Sequence, residues 1–265
     1  MTSLVCWAGV DDRKVASLYI ASDSRLTWPE SGAHWDQGRK AFAANNAPFI
    51  FGYWGDVLFP ALALPVVQEK VDRGFISGMP GPRAHDAIAH TIRTMWRDYP
   101  ETERRSLGIL IGSRSGEFMP CRFLLTVLTY RQDTDEWASM SVPMPQKSSV
   151  LRYEGSGATS LKDAEQLWEE SPARKTSRAV FSAFCDSLAA GKDPHSGGPP
   201  QLVGLRRNGN ALSFGLIHEQ RRYIAGTPSH RNETWEGVNW FNRLFERVRA
   251  DTKRRMPGAQ KHTRP

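Results

Sequence analysis

The grouping of strand-like and helix-like stretches constrains the fold of this 265-residue chain more than any other sequence feature. Short apolar runs between turn residues predict strands, and apolar residues at helical spacing predict helices. The predicted strands lie at residues 3–8, 15–21, 49–53, 106–111, 123–130, 137–142, 149–153, 202–206, 212–216 and 222–224. The predicted helices lie at 56–74, 83–97, 158–170, 174–189 and 235–249. Because strands and helices come in groups, the pattern favours layered α+β packing over alternating βαβ units.

The composition is that of one large domain with a basic extension. Hydrophobic residues make up 40% of the chain, and nine Trp and twelve Phe supply bulky side chains for a core. We see no internal linker, so residues 1–250 are predicted to form a single domain. The net charge is +7, and five cations lie in the last fifteen residues: Lys253, Arg254, Arg255, Lys261 and Arg264. That segment has no apolar periodicity, so residues 251–265 are predicted to be a disordered basic tail.

Several classes of function are disfavoured by what the sequence does not contain. No apolar run approaches the roughly 18 residues of a membrane helix, and Asp11 to Lys14 interrupt any secretory signal. Three scattered cysteines suit reduced thiols, so we expect a cytoplasmic protein. The histidines show no metal-ligand spacing, so we expect neither a metal nor another cofactor. Only the net charge suggests nucleic acid, and no aromatic residues are interleaved with the cations of the tail.

The second residue offers a specific chemistry. A threonine at a free amino terminus combines a nucleophilic hydroxyl with an α-amine, whose reference pKa of about 8 suits a general base. Thr2 follows Met1, and its small side chain suits removal of the initiator methionine. Since no other segment precedes Thr2 in this sequence, we expect activation to need only that removal.

Five further segments of the sequence support the hypothesis that Thr2 is the nucleophile. They are Ile20-Ala21-Ser22-Asp23-Ser24-Arg25-Leu26-Thr27, Gly38-Arg39-Lys40-Ala41-Phe42, Phe51-Gly52-Tyr53-Trp54-Gly55-Asp56, Glu154-Gly155-Ser156-Gly157 and Asp193-Pro194-His195-Ser196-Gly197-Gly198. In type, order and approximate spacing these segments resemble the conserved segments of proteasome β-subunits, which are N-terminal nucleophile hydrolases. The resemblance covers about residues 2–225 and is closest to the bacterial proteasome-type threonine peptidases.

The resemblance implies a fold and a set of catalytic roles. The fold would be a four-layer αββα sandwich, with two antiparallel sheets between two layers of helices. Thr2 would be the nucleophile and, through its amine, the base, while Lys40 would lower the proton affinity of both groups. Asp23 would pair with Lys40, and the N–H of Gly55 would donate to the oxyanion. The three remaining catalytic positions would form a polar cluster around the terminal amine: Ser156, Asp193 and Ser196.

The resemblance also implies a substrate and partners. The pocket beside Thr2 would be lined by Leu26, Gly38, Phe42, Tyr53 and Val57. These residues carry no charge, which favours a hydrophobic residue on the acyl side of the cleaved bond. The substrate would be a peptide or unfolded protein. Family members form rings, so we expect a homo-oligomeric ring, with helices 56–74 and 83–97 as interface and an ATP-dependent unfoldase as a further partner.

Other interpretations stay open at this point. A non-peptidase amidohydrolase of the same fold would use the same residues on a small amide. A non-catalytic ring subunit would leave the catalytic set unexplained, and such subunits carry a helix before the first strand. Besides the absence of a propeptide, three features depart from the family pattern: the turn at Asp11–Lys14 is longer, Pro194 restricts the backbone of Asp193, and the chain beyond about residue 225 has no counterpart.

Overall fold

The computed structural model describes residues 2–28, 31–76, 78–79, 81–230 and 233–265. Met1, whose removal the Thr2 hypothesis requires, lies outside these ranges. The helices are α1 (Leu58–Asp72), α2 (Gly81–Arg97), α3 (Ala158–Glu169) and α4 (Ser177–Ala190). The strands are β1 (Leu4–Val10), β2 (Val15–Ser22), β3 (Leu26–Thr27), β4 (His34–Trp35), β5 (Ala41–Ala43), β6 (Phe49–Gly55), β7 (Leu107–Ser115), β8 (Arg122–Arg131), β9 (Glu136–Val142), β10 (Ser149–Glu154), β11 (Gln201–Arg206), β12 (Leu212–Ser213), β13 (Gly215–His218), β14 (Arg221–Ile224), β15 (Thr227–Pro228), β16 (Trp240–Phe241) and β17 (Arg247–Val248).

The described strands form four sheets. Sheet I has the order β10-β1-β2-β11-β12, sheet II has the order β5-β6-β7-β8-β9, and sheet III has the order β15-β14-β13-β16-β17. Strands β3 and β4 form a separate two-stranded ribbon. Neighbouring strands are antiparallel throughout sheets I and II, whereas β13 and β16 of sheet III are parallel.

Strand β1 is buried on both faces, which explains its nearly continuous apolar sequence. Leu4 and Cys6 point into a core between sheets I and II, together with Leu110 of β7. Val5 and Trp7 point to the opposite face of sheet I, where they pack with residues of α4 and sheet III. Alternate side chains of a strand point to opposite faces, so one strand serves two cores. The start of β1, and with it Thr2, is thereby held inside the molecule.

The outer face of sheet II is covered by α1 and α2. Buried apolar side chains of both helices contact those of β6, β7 and β8: Phe59, Leu64, Val67, Ile88, Ile92, Phe51, Tyr53, Ile109 and Leu128 are among them. The four helices predicted over 56–189 and the strands predicted between residues 3 and 206 are confirmed, with ends that differ by a few residues, whereas β5 was not predicted. Periodicity identifies such elements well because each buries a continuous apolar face.

The expectation of a four-layer αββα sandwich is wrong. The described residues form 17 strands in four sheets, rather than two sheets between two helical layers. After β12 the chain leaves sheet I and builds sheet III. Leu216 and Phe241 of sheet III then share a core with α4 and sheet I, where the sandwich expectation placed helices alone. The molecule is therefore a strand-rich α+β structure with a third sheet.

The helix predicted over 235–249 is also wrong, because local hydrogen bonds compete with helix formation there. The Asn242 side chain accepts hydrogen bonds from the N–H groups of Leu244 and Glu246, both at 3.0 Å. Phe245 has a left-handed backbone with φ of 55°, which a right-handed helix excludes. Strands β16 and β17 lie on either side of this turn. The apolar residues whose spacing suggested a helix therefore belong to two short strands and the turn between them.

The carboxy-terminal segment, for which we expected disorder, makes contacts with the body of the molecule. The His262 N–H donates to Glu246 at 2.8 Å, and the Arg178 guanidinium donates to the Gln260 side chain at 2.9 Å. Arg264 pairs with Asp186 at 2.7 Å.

Of the helices in the described ranges, none combines the length and apolar character that crossing a bilayer requires.

Candidate active site

The buried ion pair between Asp23 and Lys40 lies at the centre of the candidate site. Lys40 Nζ donates to Asp23 Oδ1 at 2.9 Å, and neither side chain is exposed to solvent. Asp23 directly follows β2, and Lys40 directly precedes β5, so the pair joins the ends of sheets I and II. Burial holds the pKa of Lys40 below its ordinary value, although the charge and hydrogen bond of Asp23 oppose that shift.

The same carboxylate holds the residue that follows Thr2. The Ser3 N–H donates to Asp23 Oδ1 at 3.0 Å, so the Thr2–Ser3 peptide and Lys40 Nζ share one acceptor atom. The Asp23 N–H donates back to the Ser3 carbonyl at 3.1 Å. Asp23 Oδ2 accepts from the N–H groups of Arg25 and Gly197, at 3.0 and 3.1 Å. This carboxylate therefore fixes Lys40 relative to the start of β1.

Thr2 itself is completely buried. Its carbonyl accepts a hydrogen bond from the Gly157 N–H at 3.3 Å. Its hydroxyl has no hydrogen-bond partner among the described residues, although buried hydroxyls normally have one. A Cβ built on Gly155 would overlap the Thr2 carbonyl, so the backbones at Thr2 and Gly155 approach as closely as only glycine allows. The Thr2 hydroxyl is thus a buried nucleophilic group that makes no hydrogen bond to any of the described residues.

A chain of hydroxyls leads from Ser3 to a carboxylate. Ser3 Oγ donates to Ser196 Oγ at 2.8 Å, and Ser196 Oγ donates to Asp193 Oδ2 at 2.7 Å. Ser156 Oγ donates to the same oxygen at 2.7 Å. Burial opposes ionisation of Asp193, but these hydrogen bonds and that of the His195 N–H outweigh it and lower the pKa of Asp193. Asp193 is therefore an ionised acceptor that orders both serines.

The structure brings together six of the seven residues predicted to be catalytic. Asp23, Lys40, Ser156, Asp193 and Ser196 are linked through Ser3 and Gly157 to the backbone of Thr2. Gly55 is not part of these hydrogen bonds. It lies at the end of β6 opposite Leu107, with φ of 85°. Its role as an oxyanion donor remains a prediction.

The predicted pocket residues divide into two groups. Phe42 and Tyr53 do not form an open pocket wall, because both are buried in the core beneath α1 and α2. The Tyr53 hydroxyl donates to the Arg39 carbonyl at 3.1 Å, and burial raises the pKa of that hydroxyl. A tyrosine at the end of an apolar strand is typical of both a core and a pocket, so the sequence alone did not separate these positions.

The other three pocket residues are closer to the surface. Leu26 and Val57 are partly exposed, whereas Gly38 is buried under the Leu26 side chain, which a Cβ on Gly38 would overlap. A cavity of about 920 Å³ borders Arg25, Asp193 and Ser196, but its lining does not include Thr2 or Lys40. This cavity therefore reaches the candidate site at Asp193 and Ser196 and not at Thr2.

Gln201 is a positioning residue that sequence reasoning missed. Its side-chain oxygen accepts from the Lys40 N–H at 3.0 Å, and its nitrogen donates to the carbonyls of Asp23 and Gly38, at 3.1 and 2.7 Å. One buried amide thus connects the segments that carry Asp23 and Lys40. The detectable signal was a polar residue at the start of the otherwise apolar strand β11, directly after two prolines.

The sequence analysis also missed an ion pair within the segment between Asp23 and Lys40, which joins Arg25 to Asp36. The Arg25 guanidinium donates to both carboxylate oxygens of Asp36, at 2.8 and 2.9 Å, and also to the Pro194 carbonyl at 3.2 Å. This bidentate pair holds the base of the β3–β4 ribbon against the segment that carries Asp193. Such a pairing depends on the path of the ribbon, which the sequence does not give.

The described residues contain no group of three or more His, Cys, Asp or Glu side chains that could hold a metal ion. The residues brought together at the candidate site are one lysine, two carboxylates and a set of hydroxyls. Comparisons with known proteins add no family assignment. No protein-family model matches the chain, and no curated protein matches its sequence.

Proposed function

We propose that this protein is a threonine-type peptidase that hydrolyses amide bonds through an acyl-enzyme on Thr2. The observation that carries the proposal is the buried Lys40–Asp23 pair, whose carboxylate also holds the amide of Ser3, next to a Thr2 hydroxyl without a partner among the described residues. A lysine whose pKa is lowered by burial suits proton transfer and electrostatic stabilisation of a nucleophilic hydroxyl.

The mechanism requires a free α-amine on Thr2. Once the peptide bond before Thr2 is cleaved, that amine would take the proton of the Thr2 hydroxyl as the hydroxyl attacks the substrate carbonyl. Lys40 would favour the ionised hydroxyl, and Asp23 would hold Lys40 in position. The amine would then deliver its proton to the leaving nitrogen, and a water molecule would hydrolyse the ester on Thr2. Ser196, Ser156 and Asp193 would orient the amine.

A partly apolar surface beside the site supports a preference for apolar acyl groups. Leu26 and Val57 are the predicted pocket residues that remain partly exposed. We propose that they contact the side chain on the acyl side of the cleaved bond. Fluorogenic peptides with Leu or Phe at that position should be cleaved faster than those with Asp or Arg. Faster cleavage after a charged residue would contradict the proposed pocket.

The exposed face of α1 supports assembly into a homo-oligomeric ring. Leu58, Leu62 and Val66 are spaced by four residues and are 55%, 60% and 43% exposed. An apolar stripe of this kind on a soluble protein is typical of an interface. We propose that it contacts a neighbouring copy, and sedimentation of the wild type against Leu62→Glu tests this. An ATP-dependent unfoldase would be a partner of the assembled ring.

The test of the catalytic proposal is intact-mass measurement before and after incubation with a peptide epoxyketone, which reacts with both the hydroxyl and the amine of a terminal threonine. We expect loss of Met1 and one adduct that maps to Thr2. Thr2→Val should give no adduct, and the matched substitution Thr102→Val, at an exposed position, should leave the adduct unchanged.

Retention of Met1 would call for a second measurement. A variant carrying a removable leader, whose cleavage leaves Thr2 as the first residue, separates failed processing from absent chemistry. An adduct on that variant would support the peptidase. Its absence from a folded protein with a free Thr2 amine would contradict the proposal, and turnover of small amides without peptide cleavage would favour an amidohydrolase.

A further inference from the structure

The positive charge of this protein is concentrated in the segment that builds sheet III and the carboxy terminus. Residues 215–265 contain eleven Lys and Arg against five Asp and Glu, whereas residues 1–214 contain 24 against 23. Almost all of the net charge of +7 therefore lies in this part of the chain. Such a separation produces a directional field that attracts anionic partners.

Three arginines of this segment lie together at the edge of sheet III. Arg247 and Arg249 are exposed on the same face of the chain, on either side of the buried Val248. Residues 254–256 pair with this strand: the Arg249 N–H donates to the Arg254 carbonyl at 2.9 Å, which places Arg254 opposite Arg249. In the described part of the chain, no carboxylate lies within ion-pair distance of these three guanidinium groups. Like charges that face each other across strands are unfavourable unless an anion lies between them.

A groove of about 420 Å³ lies beside this cluster. Arg247 and Arg249 line it, and Asp251 is the one carboxylate among its lining residues. The rest of the lining is mostly apolar: Trp235, Val238, Trp240, Val248 and Met256, with Ala250. A basic rim over an apolar floor matches a peptide that carries carboxylates on both sides of an apolar side chain.

The geometry of the two tryptophans argues against single-stranded nucleic acid as the occupant. Trp240 is only 3% exposed, and the guanidinium of Arg222 lies over the Trp235 ring at 3.9 Å from its centre. The buried ring of Trp240 and the covered face of Trp235 are therefore closed to a stacking base, which sequence-tolerant binding of single strands requires. The partly exposed side chains of Val238 and Met256 suit an aliphatic side chain instead.

We propose that this groove docks an acidic peptide segment of a partner protein. Carboxylates of the segment would pair with Arg247 and Arg249. The planar guanidinium group of an arginine binds a carboxylate through two parallel hydrogen bonds. An apolar side chain between the carboxylates would rest on the floor formed by Val238 and Met256, which are both partly exposed. This surface is separate from Thr2 and its network, so the proposal does not depend on the peptidase activity.

Fluorescence anisotropy of the 265-residue protein with a labelled synthetic peptide tests the proposal. The probe is a short peptide of alternating Asp and Glu with one central Leu. We expect salt-sensitive binding that weakens about tenfold or more in Arg247→Glu/Arg249→Glu, since two exposed charge pairs are lost and reversed. The matched control is Arg83→Glu/Arg93→Glu, which makes the same charge change at two exposed positions of α2. That control should bind the peptide nearly as well as the wild type.

Changes in the peptide test the proposal without altering the protein. A peptide with Asn and Gln in place of Asp and Glu should not bind, and replacement of the central Leu by Ser should weaken binding several-fold. Equal binding of the neutral peptide, or equal loss in the α2 control, would overturn the proposal. So would tighter binding of an oligothymidine that depends on the same two arginines, because the surface would then be a nucleic-acid site.

Discussion

Lys40 Nζ and the Ser3 N–H donate to the same atom, Asp23 Oδ1, at 2.9 and 3.0 Å, in an environment closed to solvent. One carboxylate therefore couples the only buried lysine of the described residues to the first strand of the protein. A charge in such a position is stable only while its hydrogen bonds and its counter-charge are retained.

Asp23→Ala should destabilise the protein more than Lys40→Met. The first substitution removes the counter-charge of Lys40 and the side-chain acceptor of three backbone N–H groups, those of Ser3, Arg25 and Gly197. Breaking a buried ion pair costs about 3–5 kcal/mol; Lys40→Met leaves a carboxylate that still accepts those three bonds and should stay within that range, whereas Asp23→Ala also orphans the three N–H groups and should exceed it. Equilibrium unfolding in urea measures both, and the reverse order would contradict the role given to Asp23.

Gly155→Ala should be far more harmful than an alanine at another glycine with positive φ. Gly155 has φ of 85°, and a Cβ there would overlap the Thr2 carbonyl. Gly209 has φ of 73° and open space around its Cα, so Gly209→Ala carries the backbone cost alone, about 1–2 kcal/mol. We expect Gly155→Ala to cost roughly 3 kcal/mol or more, because the chain at Thr2 must shift. Equal effects on the urea midpoint would show that the close approach at Thr2 has no energetic role.

His85 should make stability fall in mild acid. Its ring nitrogens lie 2.7 Å from the hydroxyls of Thr126 and Ser113, and burial lowers the pKa of His85 to about 4. Between pH 6.5 and 4 the unfolded chain therefore binds more protons than the folded protein, and the free energy of unfolding decreases as the pH falls. The stabilisation is complete above the unfolded pKa of about 6.5, and roughly 3 kcal/mol of it is lost near pH 4.

The variant His85→Gln isolates this contribution from that of other titrating groups. Glutamine can still bond to both hydroxyls but does not titrate, so the difference in unfolding free energy between wild type and variant should shrink as the pH falls from 7 to 4.5. A difference that stays constant over this range would contradict the assignment to His85.

Asp193→Asn should slow acylation at Thr2 without a large loss of stability. The Asp193 carboxylate accepts from Ser156 and Ser196, and Ser196 accepts from Ser3 beside Thr2. An amide retains only one acceptor oxygen, so the orientation of these hydroxyls should be lost and epoxyketone labelling should slow about tenfold or more. Asp163→Asn, at an exposed position on α3, is the control. An unchanged labelling rate in Asp193→Asn would remove this carboxylate from the proposed mechanism.

The sequence alone determined most of the helices and strands before about residue 206 and suggested most residues of the candidate site. Helix α2 was predictable because apolar residues recur in it at helical spacing, and strand β1 because it is a short, nearly continuous apolar run that ends at a turn. Asp23, Lys40 and Asp193 could be selected because they occur within short segments that also resemble a known family. Their proximity to one another, however, was an implication of that resemblance and not of the spacing.

Only the tertiary structure decided which apolar residues are core and how the carboxy-terminal part folds. Phe42 and Tyr53 occupy the interior beneath α1 and α2, because the path of β5 and β6 in sheet II directs them there. The turn at Asn242 replaces the predicted helix, since side-chain hydrogen bonds and the left-handed Phe245 outweigh a weak helical spacing. Gln201 acquires its role because β11 pairs with β2 and brings one amide between two distant segments. Local propensity acts within a few residues, whereas burial and sheet pairing depend on the whole chain, and these long-range terms set the third sheet and the arrangement around Thr2.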